Sequence, residues 1–101
     1  MSAYVISEVE MRDQALFERY RSLAPATIAK YGGRYIVRGG AQETVEGDRT
    51  PRHFVIVEFP SMEKAREWYA SPEYAEALKV RQKALDRRLT FVEGIAPAST
   101  S

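Results

Sequence analysis

Hydrophobic and polar residues alternate in short stretches of this chain and recur at helical spacing in longer ones. Residues 3–9, AYVISEV, alternate with the period of a strand. Asp13 then precedes a run in which Leu16, Tyr20, Leu23 and Thr27 fall three or four residues apart, widened by Phe17, Ala24, Ile28 and Tyr31. This stripe predicts a sheet-covering helix over about 14–31 with Asp13 as N-cap. Pro25 lies inside it. Its missing N–H and its ring predict a kink or break near Leu23–Pro25. Gly32-Gly33 ends the helix, the first glycine suiting a left-handed C-cap.

Residues 34–38, RYIVR, read as a second strand. Gly39-Gly40 permits a bend or bulge, residues 41–46 continue as an irregular strand, and Gly47-Asp48 with Pro51 marks a turn. Residues 53–59, HFVIVEF, are the densest in β-branched and aromatic side chains and form a third strand. Ser61 caps a helix of about 62–70, with Glu63 near its positive end. Ser71-Pro72, an N-cap with an N1 proline, starts another helix of about 72–85. Residues 87–93 make the last strand, ended by Gly94. The order β-α-β-β-α-α-β predicts an α+β, ferredoxin-like sandwich: a four-stranded antiparallel sheet with helices on one face. One domain spans 1–95, and the small, polar residues 96–101 read as a disordered tail.

Strand parity sorts the sheet into two faces. Val5, Ser7, Val9, Tyr35, Val37, Val55, Val57, Phe59, Leu89 and Phe91 form one, almost wholly apolar and suited to lie under the helices. Tyr4, Ile6, Glu8, Arg34, Ile36, Arg38, Phe54, Ile56, Glu58, Arg88, Thr90 and Val92 form the other. Its apolar members are too many for a monomer to leave in water. The expected cover is a second copy of the chain, giving a two-fold homodimer with sheets facing each other.

Composition narrows the chemistry. With 101 residues the chain is one domain, and with no Cys and one His it offers no disulfide, no cysteine nucleophile and no multi-His metal site. Fifteen Lys and Arg against fourteen Asp and Glu leave a net charge of +1, which argues against nucleic acid as a partner. No apolar stretch suits a membrane, and the start, MSAYVISEVEM, does not read as a signal peptide, so the expected location is cytoplasmic.

The charges on the open face must be paired or must meet a ligand. One reading is a structural network of ion pairs among Glu8, Arg38, Glu58 and Arg88, within the chain or across the dimer. The other is a pocket for a small anionic or oxygenated molecule, with Arg38 orienting it and Glu58 moving a proton as the catalytic pair. Arg88, and Arg81, which interrupts the apolar stripe of the third helix, would add anion-binding arms. Tyr35 and Tyr69 would add phenols. His53 is the one side chain that titrates near neutral pH unperturbed, and it reads either as a surface residue or as a ligand-binding group. Trp68, Tyr69 and Tyr74 read as core. Gly39-Gly40 lacks the spacing of a nucleotide-binding loop.

The segments YVISEVE, Ala29-Lys30-Tyr31-Gly32-Gly33-Arg34-Tyr35, Val37-Arg38-Gly39-Gly40, Val57-Glu58-Phe59-Pro60-Ser61 and Trp68-Tyr69-Ala70-Ser71-Pro72-Glu73-Tyr74, with Asp13, Arg81 and Arg88, together resemble the DUF1330 family over about residues 3–94. The resemblance implies a dimeric α+β barrel. That superfamily includes cofactor-independent monooxygenases, haem-degrading enzymes, and chlorite dismutase-like and muconolactone isomerase-like proteins. The family's recurrent polar positions fall here on Arg38, Glu58, Arg81 and Arg88. The function expected is a small-molecule enzyme without a cofactor or metal; the alternative is a non-catalytic metabolite-binding or structural dimeric module.

Overall fold

The computed structural model describes residues 1–48 and 53–95. Pro51 of the predicted turn and the tail 96–101 lie outside them. The elements are β1 (Ala3–Met11), α1 (Gln14–Lys30), β2 (Arg34–Arg38), β3 (His53–Phe59), α2 (Met62–Tyr69), α3 (Pro72–Ala84) and β4 (Leu85–Glu93). The four strands make one antiparallel sheet in the order β2-β3-β1-β4. This is the ferredoxin-like arrangement that the element order predicts.

The caps follow the sequence. Asp13, Ser61 and Ser71 each accept a hydrogen bond from the backbone N–H three residues on, starting α1, α2 and α3. Gly32, at φ 82°, turns the chain out of α1, where an L side chain would be strained.

Three local expectations change. First, α1 is continuous through Pro25. The proline leaves the Arg21 carbonyl without its usual i+4 donor, and the packing of Ala24 and Ile28 into the core holds the helix together across the gap. Second, residues 41–46 form no strand. Third, the bulge lies within β2: Tyr35 pairs with Val57, but Val37 pairs with Ile56 and Arg38 with Val55. Ile36 is the extra residue. A one-residue slip moves every later side chain to the other face. Arg38 therefore shares the helix side with Val55, and Val37 shares the open side with Ile56, the reverse of their predicted faces.

The helix side carries the core. Val5, Val57, Phe59, Ala24, Ile28, Ala65, Trp68, Tyr74 and Ala77 pack in one cluster, and Val9, Phe17, Ala84 and Leu85 in a second. Trp68, Tyr74 and Phe59 are almost fully excluded from water, and burying each such ring contributes roughly 1.5–3 kcal/mol. On the open side Tyr4, Ile6, Phe54 and Ile56 are half-exposed, while Ile36, Val37 and Val92 are about two-fifths exposed.

Candidate active site

Between the helix side of the sheet and α1 lies a cavity of about 50 Å³. A single water needs roughly 10–15 Å³, so there is room for a small molecule's reacting end. Its walls are apolar: Val5, Val9, Val55, Val57 and Leu89 from the sheet, Phe17, Ala24 and Ile28 from α1, Trp68 from α2. The polar lining is distinctive. Among the described residues it comprises Ser7, Tyr20, Arg21, Tyr35, Arg38, His53 and Arg87, with three guanidiniums and no carboxylate.

Two groups of side chains meet here. Arg87, from the start of β4, donates to the Tyr20 hydroxyl at 2.8 Å, and that hydroxyl shares a 2.6 Å hydrogen bond with the Tyr74 hydroxyl behind it. Burial pushes the Tyr74 hydroxyl far above the usual phenol range, so it stays protonated. At the rim, the Arg38 guanidinium lies over the Tyr35 ring, 4.5 Å from its centre. It also donates a long 3.5 Å hydrogen bond to the Arg21 carbonyl, the acceptor that Pro25 leaves free. Burial pushes the Tyr35 hydroxyl up to about 12, with Arg38 partly opposing it.

His53 opens β3 beside these groups, its ring edge-on to Phe17 at 5.7 Å. Partial burial and the charges of Arg21 and Arg38 hold its pKa below 6.5. The imidazole is therefore neutral at physiological pH and free to accept a proton.

The expected set of site residues divides. The structure brings Tyr35, Arg38 and His53 together at the cavity. Glu58 is not with Arg38, because the β2 bulge separates their faces. It stands on the open side, where it accepts hydrogen bonds from Arg34 at 2.7 Å and from Tyr4 at 3.3 Å. The Arg34 bond holds its carboxyl below the usual range, a poor setting for a proton carrier. Arg88 pairs in register with Glu8, also outside the cavity. Arg81 is not on the cavity wall, and its Nε is buried without a partner among the described residues. Tyr69 packs edge-on against Phe91 and is 39% exposed.

Tyr20, Arg21 and Arg87 line the cavity and Tyr74 backs Tyr20, and none of the four was among the site residues that sequence reasoning singled out. Tyr20 and Tyr74 read as core because they sit on apolar stripes. Arg87 shares the strand parity of Leu89 and Phe91, and its pairing with Val9 places it on the helix side, with Arg88 opposite Glu8 on the open side. Among the described residues no group of three His, Asp or Glu could hold a metal ion, and no helix is long and apolar enough to cross a membrane.

Known proteins share this architecture. A protein of unknown function from Rhodopseudomonas palustris, RPA0582, superposes with a TM-score of 0.77 at 24% identity, over 95% of this chain and 84% of that one. SnoaB, a cofactor-independent oxygenase from Streptomyces nogalater, superposes at 0.66 with 11% identity, over 96% of both chains. A protein from Bacteroides fragilis, described as dimeric with a ferredoxin-like fold, superposes at 0.63 with 15% identity, over 92% of this chain and 96% of that one. At these identities the likeness establishes the fold alone. No curated protein matches the sequence. The family described as "Domain of unknown function (DUF1330)" matches residues 2–95, and this chain belongs to it.

Proposed function

We propose that the cavity is the active site of a small-molecule enzyme that uses its own side chains for proton transfer. The observation that carries this reading is the neutral imidazole of His53 set among guanidiniums, with no carboxylate on the cavity wall among the described residues. A carboxylate would neutralise the arginines; without one their field favours an anion that forms during reaction. His53 would take a proton from a carbon next to a carbonyl. The electron pair moves onto the carbonyl oxygen, where the Arg38 guanidinium stabilises the enolate. Return of the proton from His53 completes a turnover. The fold shared with a cofactor-independent oxygenase is compatible with such chemistry but is only an analogy.

The test is deuterium uptake. Small enolisable ketones and keto acids incubated with the protein in D2O should gain deuterium at the carbon next to the carbonyl. His53→Gln should slow this by at least about 100-fold. Saturable binding without exchange would make the protein a binding module.

The open sheet face supports a homodimer with facing sheets, since the described residues leave its apolar members Ile6, Phe54 and Ile56 half-exposed. The dimeric Bacteroides fragilis protein of the same fold agrees.

A further inference from the structure

The Arg87 guanidinium is half-buried at the cavity wall, and among the described residues no carboxylate pairs with it. It donates to the Tyr20 hydroxyl at 2.8 Å and stands 5.7 Å from the centre of that ring. Phenols do not compensate a positive charge, and a partly desolvated cation without a counter-charge is costly. The phenols of Tyr20 and Tyr74 engage only part of its five-donor planar fork. Tyr20 is itself held in place from behind by Tyr74, whose ring packs 4.2 Å from that of Trp68. The subsite is therefore rigid, apolar around its edge and cationic at its centre.

We propose that Arg87 and Tyr20 form a carboxylate-binding subsite, so that the molecule this cavity takes is a small apolar acid whose carboxylate docks on Arg87. The inference rests on the cavity being the functional site, and it adds the ligand's charge and orientation. A planar guanidinium matches a carboxylate in shape as well as charge, and such pairs are stronger than neutral hydrogen bonds. The apolar wall formed by Val9, Val55 and Leu89 takes the body of the acid, while His53 and Arg38 remain for the reacting carbon and its oxygen.

Two isosteric probes test it: isobutyrate and its neutral counterpart isobutyramide. The reporter is the single indole N–H signal of the protein, that of Trp68, which lines the cavity and donates to the Thr27 hydroxyl at 3.1 Å. Titrations at matched ionic strength should show isobutyrate binding about tenfold more tightly than the amide. Arg87→Met should abolish that preference and leave amide binding within about twofold. Arg87→Lys, which keeps the charge without the fork, should reduce the preference, and it carries the test if Arg87→Met does not fold. Equal affinities for acid and amide in the unmodified protein would overturn the subsite and leave the cavity standing. So would a preference untouched by either substitution. Failure of both probes to bind the unmodified protein would overturn the cavity reading and the subsite with it.

Discussion

Pro25 and Arg38 meet at one carbonyl. The proline withholds the N–H that would bind the Arg21 oxygen, and the arginine supplies a donor from across the cavity rim, 3.5 Å away. A residue unfavourable to the helix thereby creates an anchor for a site residue. Pro25→Ala should restore the helix bond and raise stability by up to about 3 kcal/mol in urea unfolding. It should also loosen Arg38 and raise KM for the exchange reaction.

Gly39 sits directly against the His53 imidazole, at φ 69° and with its N–H bonded to the Phe54 carbonyl at 2.8 Å. There is no room for a Cβ beside the ring. Gly39→Ala should therefore cost about 1–3 kcal/mol and displace the imidazole. The ring-proton shifts of His53 should move, and exchange activity should fall more than stability alone explains.

The His53 pKa sets a pH dependence. In the folded protein the ring titrates below its ordinary 6.5, so below that pH the unfolded chain binds more protons. Stability is complete above about pH 6.5 and falls as the pH drops through the folded value. Between roughly pH 6.5 and 5 Glu58 and Glu73 contribute little, since the stability held by their lowered pKa values is lost only once the unfolded carboxyls protonate near 4.5. His53→Gln should flatten stability across that window, as read by thermal melts.

Tyr74→Phe removes one end of the 2.6 Å hydroxyl pair without opening a cavity. The expected loss is about 1 kcal/mol of stability. Isobutyrate affinity should fall by a few-fold as Tyr20 loses its anchor, while isobutyramide affinity stays the same.

Ile56→Glu tests the dimer. The substitution places a charge in the middle of the open face, opposite Ile6 in the register, and leaves the helix-side core untouched. Sedimentation should show a dimer for the parent chain and a monomer for the variant. A monomeric parent chain at micromolar concentration would contradict the proposed assembly.

All seven elements were legible in the sequence, because caps at Asp13, Ser61 and Ser71 and the strand periodicities all agree with the tertiary arrangement. The site was legible only in part, and one residue explains much of that. RYIVR is a uniform run of strand formers around Ile36, so nothing local marks the bulge that the pairing to β3 imposes. That single slip sends Arg38 to the cavity and leaves Glu58 behind. Arg87 was missed for a different reason. Strand parity already set Arg88 on the open face, and Arg87 follows the inward parity of Leu89 and Phe91, but only the pairing with Val9 brings it beside Tyr20 at the cavity. Periodicity within a strand gives the facing of β4, but the β2 bulge and the meeting of Arg87 with Tyr20 come from contacts between distant elements.

The central claim is that function resides in the cavity under the helices and not in the ion pairs of the open face. The most direct measurement is deuterium exchange into small enolisable keto acids by the parent chain, His53→Gln and Glu58→Gln, each checked for fold by circular dichroism. The expected result is exchange by the parent chain, a loss of at least about 100-fold in His53→Gln, and parent-like rates in Glu58→Gln. Exchange that survives in His53→Gln and disappears in Glu58→Gln would contradict it.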